Sequence, residues 1–161
     1  MRAVVQRSGP AKCTVDGKIT GEIRSGIVLF VSIDPEDGEN DIKWMGNKIA
    51  GLRIFPDDEG KMNRSILDIL DGFPDKTNEY ELPGILSISQ FTLHGNVKKG
   101  FRPSFAQAAD PAQAEDFYCR LNDDLRLRGL IVREGIFGAT MDISLVNEGP
   151  VTILIDSKNK F

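Results

Sequence analysis

The run Leu145-Val146-Asn147-Glu148-Gly149-Pro150-Val151-Thr152-Ile153-Leu154 sets two apolar, β-prone halves on either side of a Gly-Pro pair. Proline has no N–H to give to a sheet ladder, which places the pair at an edge, a bulge or a sharp turn. Gly149 adds backbone angles that other residues avoid, so the pair can aim its two carbonyl oxygens unusually. On these residues alone the plain reading is a hairpin-like turn between two strands, Met141 to Asn147 and Val151 to Asp156.

Upstream, the same β character recurs. Ala3 to Val15 is strand-like, Asp16-Gly17 is a strong two-residue hairpin signal, and Ile19 to Ile23 reads as the returning strand. Gly26 to Ile33 forms a buried run, Leu52 to Phe55 a short one and Ile85 to Phe91 another. Two helices interrupt them. Ile42, Met45, Ile49 and Leu52 recur at helical spacing, with Lys43 and Lys48 on other faces. Asp110-Pro111 supplies an N-cap and a first-turn proline, followed by Ala114, Phe117, Tyr118, Leu121 and Leu125 on one face, and Gly129 ends the helix. Asp71 to Gly84 reads as a long surface loop. The pattern predicts one α+β domain over residues 1–161, a curved, barrel-like and mostly antiparallel sheet carrying two main helices.

Composition removes several function classes. Of 161 residues, 40% are hydrophobic and 27% charged, ordinary for a globular chain able to bury a core without staples. The longest apolar run, Ile27 to Val31, is far short of the roughly 20 residues a membrane helix needs. The opening residues lack the apolar core of a signal peptide, so cytoplasmic residence is expected, with no membrane partner. Cys13 and Cys119 stand apart, with no CxxC or Cys/His cluster, and two reduced, packed thiols are expected rather than a disulfide or zinc site. No metal or cofactor is predicted. A net charge of −4 argues against a generic nucleic-acid binder, although Lys98, Lys99 and Arg102 form a local basic patch in a Gly- and Pro-containing loop.

Acid/base machinery is sparse. His94 is the sole histidine, and it reads as a loop residue making ordinary polar contacts. The carboxylate runs Asp57-Asp58-Glu59 and Asp123-Asp124 look like solvated surface, and no P-loop or GxGxxG appears. What remains is hydroxyls, amides and backbone groups. These suit a labile substrate that brings its own nucleophile, with preorganised N–H groups stabilising an oxyanion.

The segments Ser89-Gln90-Phe91-Thr92-Leu93 and Asn147-Glu148-Gly149-Pro150-Val151-Thr152 together resemble the two signature motifs of D-aminoacyl-tRNA deacylases. Met1 to Arg7, Leu52-Arg53-Ile54-Phe55, Gly60-Lys61-Met62-Asn63, Lys99 to Phe105 and Phe137-Gly138-Ala139-Thr140-Met141 resemble that family in the same order along the chain. The resemblance implies a homodimer with active sites at the subunit interface. It also implies cleavage of the ester between a D-amino acid and the terminal adenosine of tRNA, and acceptance of glycyl-tRNA. It makes Gly149-Pro150 a cis peptide whose carbonyls accept from the substrate ammonium and reach across the interface. It makes the Phe91 N–H an oxyanion donor, with Ser89, Gln90 and Thr92 beside it. Arg7 becomes a support for the Gly-Pro segment, Phe137 and Met141 become pocket walls, and Lys98, Lys99 and Arg102 become tRNA contacts. Attack is assisted by the ribose 2′-hydroxyl; in the rival scheme Thr92 is the nucleophile.

Taken singly, these residues have plainer readings. Ser89 satisfies a sheet end, Phe91 is core, Phe137 and Met141 are packing, and Arg7 is surface charge. Ser89 and Thr92 have opposite strand parity, so both face one site only if the strand bends or ends between them. The loop over residues 71–84 is longer than the family pattern leads one to expect. Two other readings stay open: a deacylase for an L-amino acid mischarged on tRNA, and a non-catalytic nucleic-acid-binding dimer.

Overall fold

The computed structural model describes residues 1–158. Two long strands frame it. β1 (Arg2–Val15) and β8 (Asp142–Asp156) run antiparallel from Arg2 opposite Asp156 to Thr14 opposite Asp142. On its other side β1 pairs first with β3 (Gly26–Ser32) and then with β2 (Lys18–Ile23), both antiparallel. Asp16 and Gly17, both at positive φ, make the two-residue turn into β2.

The helices explain the remaining pairings. α1 (Glu39–Gly51) lies on the crossover from β3 to β6 (Gly84–Ser89), and α3 (Pro111–Leu127) on the crossover from β6 to β7 (Val132–Glu134). Crossovers of this length deliver parallel neighbours, and β3–β6 and β6–β7 are both parallel. The sheet is therefore mixed, with antiparallel pairs along β1 and parallel pairs beyond β3. It curls until the Gly21 backbone packs against Glu134, nearly closing the ring between β2 and β7.

Each face of the curl buries its own set of side chains. Ala11, Cys13, Ile23, Val28, Leu86 and Ile88 form one buried cluster. Ala3, Val5, Ile27, Leu29 and Ile85 belong to the other, which includes Met45 and Ile49 of α1 and Leu121 and Leu125 of α3. Each such large aliphatic side chain contributes about 1.5–3 kcal/mol by leaving water. The two helices approach closely at Gly46, where an added Cβ would overlap the Asp124 carboxylate.

Four expectations change. The Gly-Pro pair makes no hairpin: β8 passes through it as one strand, and the extra length is absorbed by register shifts against β1 between Gln6 and Ser8 and between Ser8 and Ala11. The strand expected over Leu52 to Phe55 is only Phe55–Pro56, β4, paired with Met62–Arg64, β5. A short third helix, α2 (Ile66–Asp71), follows, capped reciprocally by Ser65 and Asp68. Cys119 is exposed rather than packed, while Cys13 is buried.

Residues 72–83 form the expected loop, tied down by Glu79 to Arg133 at 3.1 Å, Glu81 to Arg24 at 2.5 Å, and buried Leu82. No helix among the described residues is long and apolar enough to cross a membrane.

Candidate active site

β6 stops at Ser89, and the chain turns into a 3₁₀ turn over Phe91–His94. Ser89 and Thr92 therefore do not share a strand, and strand parity no longer relates them. Three contacts anchor the turn. The Gln90 N–H donates to the Val31 carbonyl at 2.7 Å, and Arg2 Nη1 donates to the Leu93 carbonyl at 3.1 Å. His94 Nδ1 lies 2.6 Å from Ser32 Oγ. Opening N–H groups of such a turn have no partner within it. Neither the Phe91 nor the Thr92 N–H meets a protein acceptor among the described residues.

The anchored turn forms the rim of a cavity of about 580 Å³. Its polar edge is Ser32, Ser89 and Gln90; its apolar walls include Phe91, Phe105, Phe137, Met141 and Ile143, with Tyr118 and Ala114 of α3 behind. Phe91 is 57% exposed, so it is not core. Its ring meets Phe105 edge-on at 5.0 Å between centroids. Tyr118 donates its hydroxyl to the Ser87 carbonyl at 2.8 Å, and burial pushes its phenol up to about 12. It acts as an uncharged wall at neutral pH. Size and lining suit a flat, largely apolar group held by a few polar contacts at one edge.

Thr92 does not line the cavity. Its hydroxyl accepts from Gln90 Nε2 at 2.5 Å, and no base among the described residues is bonded to it. His94 is not a loop residue with ordinary contacts, but a ring 1% exposed beside Ser32 at 3%. Burial is the main reason its imidazole is held down at about 4, with the Arg2 charge adding to the effect and Asp34 opposing it. Its Nε2 sits 3.7 Å from Asp34 Oδ2. Ser32, His94 and Asp34 are thus adjacent but closed in, and they clamp the turn to the end of β3. No cluster of metal-ligating side chains occurs among the described residues.

Gly149 and Pro150 lie elsewhere. Both are exposed on β8, joined by a cis peptide, and neither lines the cavity of its own chain. The segment is held from two sides. Asn147 Oδ1 accepts the Val151 N–H at 2.9 Å, and Asn147 Nδ2 donates to Thr152 Oγ1 at 2.9 Å. Arg7, in the register gap of β1, donates from Nη1 to the Ile54 carbonyl at 2.6 Å. A Cβ on Gly149, whose φ is +116°, would come within 2.8 Å of both Arg7 Nη2 and Val151 Cγ2. Arg7 is therefore a packing element under this segment rather than a surface charge. Lys98, Lys99 and Arg102 are exposed on the loop that leaves the 3₁₀ turn.

Sequence reasoning missed Phe105, Ala114, Tyr118 and Ile143 as cavity residues. Helical spacing does place Ala114 and Tyr118 on the apolar face of α3, but that signal is the same for a packed core and for a cavity wall.

The sequence model of the D-Tyr-tRNA(Tyr) deacylase family matches residues 4–156. A D-aminoacyl-tRNA deacylase of Bacillus cytotoxicus is 50% identical over 158 residues, covering 98% of this chain and 100% of the relative. One from Bacillus thuringiensis is 49% identical over the same length. A solved structure described as c-Myc DNA Unwinding Element Binding Protein superposes with a TM-score of 0.83 at 36% identity, covering 97% of this chain and 98% of that one. A probable eukaryotic D-amino acid tRNA deacylase shares the fold, with a TM-score of 0.72 at 18% identity over 96% and 97% of the two chains. With the family match spanning nearly the whole sequence and half the residues identical to such relatives, this chain belongs to the D-Tyr-tRNA(Tyr) deacylase family of hydrolases.

Proposed function

We propose that the chain hydrolyses D-aminoacyl-tRNA at a site shared by two copies, the cavity of one protomer meeting the Gly149-Pro150 segment of the other. Hydrolysis of a D-aminoacyl-tRNA ester is the activity that family membership carries. One observation supports the shared site above all. The turn that carries the Phe91 N–H rims the cavity, yet the two carbonyls expected to hold the ammonium lie outside it on an exposed face of the same chain.

The terminal adenosine enters the apolar cavity against Phe137 and Met141, with Ser89 and Gln90 at its polar edge. The Phe91 N–H faces the ester carbonyl oxygen and stabilises the negative charge that develops there, an interaction of about 3–4 kcal/mol in a water-poor site. The partner's Gly149 and Pro150 carbonyls accept from the α-ammonium and so fix the α-carbon. An L-side chain then meets the wall, whereas a D-side chain points outward. Backbone acceptors read no side-chain identity, so many D-amino acids are accepted, and glycine with them, including glycine mischarged on tRNA(Ala). Rejection by clash supplies discrimination that favourable contacts alone do not.

Water attacks the carbonyl carbon with the ribose 2′-hydroxyl assisting, the 3′ ester bond breaks, and free D-amino acid and tRNA leave. No protein nucleophile is used, in keeping with a Thr92 hydroxyl that has no base and a Ser32–His94 pair that is buried. Arg7 and Asn147 hold the Gly-Pro segment in place. Lys98, Lys99 and Arg102 contact tRNA phosphates, which makes binding salt-sensitive. A tRNA substrate accords with residence in the cytoplasm.

Incubation with D-Tyr-tRNA and L-Tyr-tRNA tests the reading. The D ester is expected to be cleaved at least a hundredfold faster than the L ester; cleavage no faster than in buffer rejects the enzyme, and equal rates reject chiral exclusion. Mixing a Gly149→Ala protein with a cavity-blocked Ala114→Trp protein tests the shared site. Random exchange of dimers rebuilds about a quarter of the wild-type sites, and no recovery after exchange overturns the two-copy arrangement.

A further inference from the structure

After the 3₁₀ turn the chain makes a tight excursion closed at its base by Asn96 and Ser104, whose backbones exchange hydrogen bonds of 2.8 and 3.0 Å. The Lys98 N–H donates to Asn96 Oδ1 at 2.9 Å, and Gly100 turns the tip at a φ of +82°. That tip holds Phe101 entirely in solvent, at 105% of its reference exposure. Lys98, Lys99 and Arg102 surround it in sequence, no acidic residue occurs from Asn96 to Phe105, and none of the three cations is ion-paired among the described residues.

A phenylalanine held in water forgoes the gain of burying its ring, so a packing role does not explain it. A contact with a second copy fits poorly, because interface cores are depleted in lysine. An open aromatic face amid uncompensated positive charge does match the make-up of surfaces that take unpaired nucleotides, the ring stacking on a base and the cations meeting phosphates. The loop also starts at the right place. Phe105, four residues from Phe101, lines the cavity and touches Phe91, and four extended residues span at most about 14 Å.

We propose that Phe101 is the stacking residue for an unpaired base in the tRNA 3′ end, immediately before the terminal adenosine, with Lys98, Lys99 and Arg102 on the adjoining phosphates. The proposal rests on the reading that the cavity takes the terminal adenosine of an aminoacyl-tRNA. It adds a substrate length requirement, since the enzyme reads nucleotides beyond the one that carries the ester.

Two substrates separate this role from a structural one: D-Tyr-tRNA, and the same ester on adenosine alone. Phe101→Ala is expected to lower kcat/KM on D-Tyr-tRNA relative to D-Tyr-adenosine by about fivefold to a hundredfold, through KM, because a base–aromatic stack contributes about 1–3 kcal/mol. Phe101→Trp restores the ratio and Phe101→Leu, apolar but without a π face, does not. An unchanged ratio overturns the proposal. So does an equal fall on both substrates, which would make the ring a prop for Phe105, and so does full rescue by leucine, which would make the tip an apolar docking point. A wild type that cleaves neither ester rejects the deacylase reading and takes the stacking role with it; an active wild type with an indifferent Phe101→Ala rejects the stacking role alone.

Discussion

The Asn147 side-chain oxygen accepts the Val151 N–H at 2.9 Å, so a single amide spans the Gly149-Pro150 segment from one side to the other. The same amide donates to Thr152 Oγ1, which also accepts from Gln6 Nε2 at 3.1 Å, joining the clasp to β1. Asn147→Ala removes both bonds and leaves a half-buried N–H without its acceptor. We expect a loss of about 1–2 kcal/mol in urea unfolding and a fall of about tenfold or more in kcat/KM for D-Tyr-tRNA. Asn147→Asp keeps the acceptor and lets the Thr152 hydroxyl donate in return, so it should retain most of both. Equal loss in the two variants would show that the clasp is not what matters.

Arg7 presses on the segment from below. Gly149→Ala puts a methyl within 2.8 Å of the guanidinium at a φ of +116° that alanine avoids. It should cost about 2 kcal/mol or more of stability and most of the activity. Arg7→Lys keeps the charge but loses the planar group that fills the gap and bonds the Ile54 carbonyl, and it should behave more like Arg7→Ala than like wild type. Wild-type kinetics in Arg7→Lys would reduce Arg7 to a generic positive charge.

Thr92→Ala should retain deacylation within about tenfold of wild type, because in the proposed mechanism the reaction draws on backbone N–H groups and a substrate hydroxyl. Its counterpart is D-Tyr-tRNA ending in 2′-deoxyadenosine, which should be cleaved far more slowly. A dead, folded Thr92→Ala together with normal cleavage of the deoxy substrate would reinstate the threonine as nucleophile. The two measurements are read as a pair.

His94 sets an acid limit on stability. Its folded-state value of about 4 lies below the unfolded 6.5, so the unfolded chain binds the proton more readily between those values. Stability contributed by the neutral ring is complete above pH 6.5 and is lost progressively down to about pH 4, by about 3 kcal/mol at most. Arg2, Asp34, the chain's amino group and Asp156 are the charges that act on it. Urea midpoints measured from pH 7.5 to 4.5 should fall less steeply in His94→Gln than in wild type. Parallel curves would assign the acid sensitivity to other groups.

How far the sequence alone reaches depends on whether the signal is local. Asp16-Gly17, the α3 cap at Asp110-Pro111 and the periodicity of α1 are legible because turn chemistry and helical spacing act over a few residues. The Ser65 and Asp68 cap of α2 carries the same kind of local signal, on a helix of only six residues. The parallel pairs β3–β6 and β6–β7 were not legible, because which strands a crossover helix brings together is decided by packing across the whole chain. At the candidate site, Phe91 and Gly149 stand out in the sequence through motifs, not through physics, since exposure and register decide their behaviour and neither is written in a residue's neighbours. His94 shows the limit most plainly. Its surroundings in sequence suggest a loop, and only the arrival of Ser32 and Arg2 from distant strands makes it a buried clamp.

β8 passes through the Gly-Pro pair without breaking, and that continuity turns it into a ruler. Ile143 at one end belongs to the cavity, and Gly149 lies six positions further along the same strand, a path of about 20 Å at full extension. Asn147, opposite Ser8, is the last residue paired to β1 before the Gly-Pro pair, so the separation of the cavity from that pair is set by a paired strand and its irregularities rather than by a flexible joint. Such a ruler tolerates changes of letter far better than changes of length. Substitutions at its exposed positions leave the count intact, whereas inserting or deleting one residue within the regular pairing of residues 142–145 shifts the register against β1 and turns the displaced side chains to the opposite face. Variation in this stretch should therefore be abundant in kind and nearly absent in number.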